Sequence, residues 1–173
     1  KYGIYTISAT TSSANPSLNG VMKYDDGTIL TREDKSVINK LQFKYGDVYA
    51  PEDASKLFYN FVMLKEIDFT NFKTDNTTDM TSMFDNSLKI ATLSNINFNT
   101  SKVTTMEKMF DGLIGLKELD LSSFDVSNVE NMRDMFFECK EFNSDLSKWN
   151  VSNVIDMAYM FMYCENFNSD LSK

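Results

Sequence analysis

The stretch Asn131-Met132-Arg133-Asp134-Met135-Phe136 carries the pattern that decides the predicted fold. Related blocks begin at Asp79, Thr105 and Asp156, and all four keep Met, Met and Phe at the same places. These apolar residues lie at positions i, i+3 and i+4, which form one face of a helix. Each block starts with Asp, Thr or Asn, residue types that cap helix N-termini. The pattern predicts a short helix that buries its Met-Met-Phe face, and because so short a helix is unstable alone it must pack on neighbours.

The chain from Ile38 onward repeats with the spacing of these blocks. Phe84, Phe110 and Phe136 are 26 residues apart, and Phe161 follows after 25. The clearest unit opens with Leu-Lys-Glu-Leu-Asp-Leu, an alternation that predicts a strand. Because the last unit is incomplete, we expect the native protein to continue beyond it. We predict one repeat domain over residues 38–173, with units over 38–63, 64–89, 90–115, 116–141 and 142–166 and a partial unit over 167–173.

Residues 1–37 do not follow the repeat and are predicted to be a β-rich cap on the first unit or a linker. The β-branched and aromatic residues from Tyr2 to Ile7 predict a strand. Further on, Asp25-Asp26-Gly27 is a turn signal between two short segments with strand character, which predicts a hairpin over 21–31.

Stacking of the units predicts the fold class. Strands of successive units would pair in parallel, and the Met, Leu and Phe columns would fill a continuous core. We therefore predict an α/β fold, a leucine-rich-repeat-like right-handed solenoid with one short parallel strand and one short helix per unit, preceded by a small β-rich N-terminal cap. The Met columns lie at helical spacing beside Phe, which favours core packing over the alternative of a thioether metal site.

Composition excludes several classes of function. The net charge of −8 argues against nucleic-acid binding, which needs clustered Lys and Arg. The chain has no histidine, the commonest general base and metal ligand, and it has no calcium-loop, phosphate-loop or nucleophile motif. No apolar run is long enough to span a bilayer. We predict a protein that is not an enzyme, needs no cofactor or metal, and does not insert into membranes.

The two cysteines, Cys139 and Cys164, lie one repeat apart. We predict two buried free thiols that act as small apolar side chains. A disulfide between neighbouring units is the alternative, and it requires Cα atoms within about 7 Å.

The outward face of the predicted sheet is the candidate binding surface. Its central column contains four acidic residues in six, and like charges on adjacent strands repel. The column is therefore either a solvated face that prevents aggregation or a binding surface for a basic partner or a cation. The predicted partner-binding face consists of Asp68, Ser94, Ile96, Asp120, Ser122, Asp145 and Asp170.

The unit at 116–139 reads Leu-x-x-Leu-Asp-Leu-Ser-x-Phe-Asp-x-Ser-x-Val-x-x-Met-x-x-Met-Phe-x-x-Cys. This unit resembles the repeat of BspA-like bacterial surface proteins, the DUF285 family, and the resemblance covers residues 38–173. It implies a leucine-rich-repeat-like solenoid on a secreted or lipid-anchored protein, and family members are associated with adhesion to host proteins or cells. No catalytic residues are known in the family.

On this basis we predict an extracellular, cell-surface adhesion or host-protein-binding module. Its partner would be a host or neighbouring-cell surface or matrix protein. The alternative is a structural spacer or antigenic surface coat with no specific ligand on this segment.

Overall fold

The computed structural model describes residues 4–8, 35–44 and 47–171. Four short parallel strands form one sheet in the order β1, β2, β4, β6, and two more form a second parallel pair, β3 and β5. The strands are β1 Ile4–Ser8, β2 Lys40–Lys44, β3 Val48–Tyr49, β4 Glu66–Asp68, β5 Phe72–Lys73 and β6 Thr92–Ser94.

From β2 onward, pairing in the larger sheet joins residues 26 positions apart along the chain. Leu41 pairs with Ile67, and Ile67 pairs with Leu93. Isolated parallel bridges continue this pairing through the later part of the chain. We call the chain from one bridge residue to the next a layer; the bridge residues are Asp53, Asp79, Thr105, Asn131 and Asp156.

The predicted helices are wrong, and with them the α/β class and the leucine-rich-repeat-like right-handed solenoid with one strand and one helix in each unit. The described residues contain almost no helix and only short parallel strands in two small sheets. Each Met-x-x-Met segment is a tight turn, in which the Met83 N–H donates to the Met80 carbonyl at 3.2 Å. The third residue of each turn has a φ between 54° and 60°, which a type II turn requires and a right-handed helix forbids. These residues are Lys56, Ser82, Lys108, Asp134 and Tyr159.

Hydrogen bonds between layers explain why the turns replace a helix. In a helix each N–H bonds the carbonyl four residues before it. Here the N–H groups of Met132, Asp134 and Phe136 donate to carbonyls of the next layer at 2.8 to 3.0 Å. The N–H of Met135 closes the turn instead, on the carbonyl of Met132 at 3.2 Å. Alternate amides thus join layers and close turns, so the backbone is satisfied without a helix.

The residues that were predicted to cap helices bond the backbone as capping residues do. An Asp79 carboxylate oxygen accepts the N–H of Thr81 at 2.7 Å, and Asp156 accepts that of Ala158 at 2.8 Å. The Asn131 side-chain oxygen accepts the N–H of Arg133 at 2.9 Å. A side chain that accepts the N–H two residues later forms an Asx turn, so these residues start a turn rather than a helix.

The core is built from columns of apolar side chains. Six of the repeated Met residues have no solvent exposure, which confirms that they are core residues. Beside them one Phe from each layer stacks on the next, with ring centroids 5.3 to 5.8 Å apart and planes within 9° of parallel. The stacked rings are those of Phe58, Phe84, Phe110, Phe136 and Phe161.

Both cysteines are free thiols, as predicted. The Cys139 thiol donates to the Phe110 carbonyl at 3.0 Å, and the Cys164 thiol donates to that of Phe136 at 2.9 Å. Burial raises the pKa of Cys139 strongly and raises the pKa of Cys164 to about 11. Because a thiol that stays protonated is a poor nucleophile, these cysteines have a packing role.

The N-terminal segment is described only in part. Strand β1 lies where Tyr2 to Ile7 predicted a strand, and it pairs in parallel with β2. The predicted hairpin over 21–31 lies outside the described residues. The division at residue 37 and the exact unit boundaries remain predictions.

Candidate functional site

The residues of the predicted binding face lie at several levels of the stack. Asp68 in β4 pairs in parallel register with Ser94 in β6, and both side chains are half-buried. The other polar members are exposed and lie beyond the described strands. They are Asp120, Ser122, Asp145 and Asp170.

Ile96 does not belong to this face, and its assignment there is wrong. Its side chain is only 4% exposed and is part of the core. The cause is Asn95, which follows β6 with a φ of 57° and accepts the N–H of Asn97 at 2.8 Å. This local reversal ends the alternation of the strand, so Ile96 packs inward.

Two acidic side chains of the face stabilise turns by accepting a backbone hydrogen bond. Asp120 accepts the Ser122 N–H at 3.0 Å, and Asp145 accepts that of Ser147 at 2.9 Å. The hydrogen bond with Ser122 holds the pKa of Asp120 below its usual range, so this carboxylate is charged at neutral pH. One carboxylate offers about four acceptor sites, so a turn bond leaves capacity for a ligand.

A cavity of about 390 Å³ opens beside these carboxylates, between the segments 118–124 and 143–149. It brings three residues of the predicted face together with other charged and aromatic side chains. Asp68, Ser94 and Asp170 are not part of it. The residues that matter for its chemistry are Glu118, Asp120, Ser122, Asp145, Lys148 and Trp149.

The cavity forms where a side chain replaces backbone pairing. The Leu119 N–H donates to the Ser144 hydroxyl at 2.8 Å, whereas β4 and β6 pair directly through their backbones. Ser144 is 5% exposed, so its hydroxyl is inserted between the two segments. The Ser144 hydroxyl therefore links the two segments beside the cavity.

Trp149 lines the cavity and, like Glu118 and Lys148, was not among the residues of the predicted face. Phe72, Phe98 and Phe124 occupy the same position in earlier layers, and all three are buried. Its indole Nε1 is buried without a hydrogen-bond partner, which costs about 1–3 kcal/mol. The available signal was the replacement of Phe by Trp in one copy of the column.

A second acidic pair, Asp85 and Asp111, lies on adjacent layers away from the cavity. Burial raises the pKa of both, and that of Asp111 reaches about 6, with the charge of Asp85 as the next cause and Lys108 opposing it. The described residues contain no group of three or more His, Cys, Asp or Glu that could hold a metal ion. We therefore treat this pair as a feature of stability and not as a binding site.

The Asp111→Asn variant is expected to be more stable than the wild type at pH 7.5, by about 1 kcal/mol after allowance for solvent screening of a half-exposed group. A folded pKa above the unfolded value stabilises the protonated form, so wild-type stability falls as the pH rises from about 4 to 6. The advantage of the variant should shrink below pH 5. Urea unfolding at pH 7.5 and 4.5 measures this, and an equal difference at both pH values would contradict it.

A family model, described as Mycoplasma protein of unknown function, DUF285, matches residues 52–173. The chain belongs to this family. No curated protein and no solved structure matches the chain. The DUF285 match spans the layers that contain the stacked Phe column and the cavity. Across the described part of the chain, no helix has the length and apolar character that a bilayer crossing requires.

Proposed function

We propose that this DUF285 chain is a non-enzymatic, BspA-like module of a bacterial cell surface that adheres to a host or neighbouring-cell surface or matrix protein. The cavity that contains Asp120 and Asp145 is the observation that carries the proposal. A spacer would need only interchangeable layers, whereas here a cavity lined by charged and aromatic side chains lies between segments of two layers. The extracellular location rests on the resemblance to surface proteins.

The exposed charge of the face favours binding over simple solvation. Asp120 and Asp145 lie at corresponding positions of neighbouring layers, and Glu118 adds a third carboxylate at the same cavity. Like charges at one site destabilise the folded state unless water or a bound ligand compensates their repulsion. Lys148 lines the same cavity, so the lining contains three carboxylates and one ammonium group.

Charge can be removed from this site without loss of the turns. Asn99 and Asn150 accept the N–H two residues later, at 3.2 and 3.3 Å, as the aspartates do. The double variant Asp120→Asn/Asp145→Asn should therefore fold like the wild type. Asp68→Asn is the matched control, because Asp68 holds a similar turn outside the cavity.

The test is surface plasmon resonance on a panel of purified extracellular-matrix proteins. We expect the wild type and Asp68→Asn to bind at least one of them and the double variant to bind about tenfold more weakly, as loss of charged hydrogen bonds predicts. Equal binding by the wild type and both variants would show that the cavity carboxylates do not contribute to binding. Absence of binding to every protein of the panel would favour the spacer.

A further inference from the structure

We infer that the cavity between segments 118–124 and 143–149 binds a neutral saccharide, so that the module recognises a glycan on its partner. This inference rests on the proposed function and names the chemistry of its ligand. The volume of about 390 Å³ lies within the range of about 300–1,000 Å³ that is typical of small-ligand sites.

The lining matches the two kinds of surface that a sugar ring presents. A pyranose has an apolar face of C–H groups, and the indole of Trp149 supplies an aromatic wall. Its hydroxyls both donate and accept hydrogen bonds. Asp120 supplies an acceptor, and Lys148 supplies donors. A neutral polyol can use all of these groups at once.

A cationic ligand would use only part of the same cavity. Glu118, Asp120 and Asp145 would attract it, but the Lys148 ammonium at the same lining would repel it. A guanidinium or ammonium also has no acceptor to offer Lys148. A basic peptide is therefore the competing ligand that the experiment must exclude.

Trp149 is difficult to explain by packing alone. Phe fills the corresponding position in three earlier layers, and Phe would not bury an unpaired indole N–H. The larger ring packs against the core, with its centroid 6.4 Å from that of Phe136, and also forms part of the cavity wall. A residue that adds a stability cost and contacts a cavity is better explained by what the cavity binds.

Trp149 is the only tryptophan in the chain, so an emission change can be assigned to this residue. Because Trp149 also lines a neighbouring apolar pocket, the Asp120→Asn variant is needed to assign the change to the cavity. The probes are galactose, mannose, fucose, N-acetylglucosamine, N-acetylgalactosamine and, for comparison, an oligo-lysine peptide. We expect a saturable change in emission with at least one sugar and none with the peptide. Asp120→Asn should weaken that binding about tenfold, and Asp68→Asn should leave it unchanged.

A second measurement separates this inference from the proposed function. The matrix protein that binds in surface plasmon resonance is tested again after enzymatic removal of its glycans, and the chain is applied to an array of mammalian glycans. Loss of binding on deglycosylation, together with binding on the array, supports the inference. Unchanged binding after deglycosylation, no signal on the array, or an emission change with oligo-lysine alone overturns the saccharide while leaving protein adhesion in place.

Discussion

Replacing Phe136 with Ala is expected to lower the free energy of unfolding by about 3–5 kcal/mol. The Phe136 ring has no solvent exposure and stacks on Phe110 at 5.3 Å and on Phe161 at 5.8 Å. It also lies 4.2 Å from the Phe142 ring. Its removal would open a cavity in the middle of the column, and the layers on either side cannot close it because their backbones are hydrogen-bonded in register.

Phe137→Ala is the matched control, because it removes the same ring from the next position. Phe137 is half-buried, and its ring makes an edge contact with Tyr163 at 5.5 Å. We expect a loss of about 1 kcal/mol for this variant. Urea unfolding followed by Trp149 emission compares the two, and losses of equal size would contradict the central role of the stacked Phe column.

The core residues and the residues predicted as helix caps could be identified from the sequence because each depends on a local, repeated signal, although the caps start turns and not helices. Columns of Met and Phe at constant spacing identify residues that are buried in every layer, whatever backbone connects them. Asp or Asn two residues before a turn amide is likewise a local pattern, and Asp79 and Asn131 bond the backbone as capping residues do.

The backbone conformation between those residues could not be predicted from the sequence. The spacing i, i+3, i+4 places side chains on one side in a helix and also in a turn whose first, fourth and fifth residues face inward. The choice is made by pairing with the next layer, such as the Phe84 N–H to the Met109 carbonyl at 3.0 Å, which is a long-range contact. Such pairing outweighs intrinsic preference, so a residue with ordinary helix propensity, such as Lys108, adopts positive φ.

The candidate site was predictable only as a face. The alternation of the repeat identified Asp120 and Asp145 as outward, and both are exposed. It assigned Ile96 to the same face because it assumed that the strand continues past Asn95. It also gave no reason to expect a cavity, since Ser144, whose hydroxyl accepts the Leu119 N–H beside the cavity, is one polar residue in a polar stretch. A residue that departs from the repeat pattern cannot be predicted from that pattern.

Lys108 provides the test that separates the turn from the predicted helix, and the largest expected effect comes from Lys108→Pro. Lys108 has a φ of 55°, and its N–H donates to the Arg133 carbonyl at 2.9 Å. Proline fixes φ near −65° and removes the N–H, so this variant should lose about 3 kcal/mol or more relative to Lys108→Ala. Had Thr105 capped a helix, Lys108 would lie in the first turn, where proline is tolerated.

Glycine at the same position should act in the opposite direction. Lys108→Gly is expected to be about 1 kcal/mol more stable than Lys108→Ala, because a Cβ is unfavourable at positive φ. Both variants lack the lysine charge, so its effect on Asp111 cancels in the comparison. At the neighbouring Glu107, which is not among the residues with positive φ, glycine should instead be less stable than alanine. If the glycine variant is less stable than the alanine variant at both positions, the segment is helical and the turn is wrong. If glycine is more stable than alanine at position 108 but less stable at position 107, the sign of φ must change between the two residues.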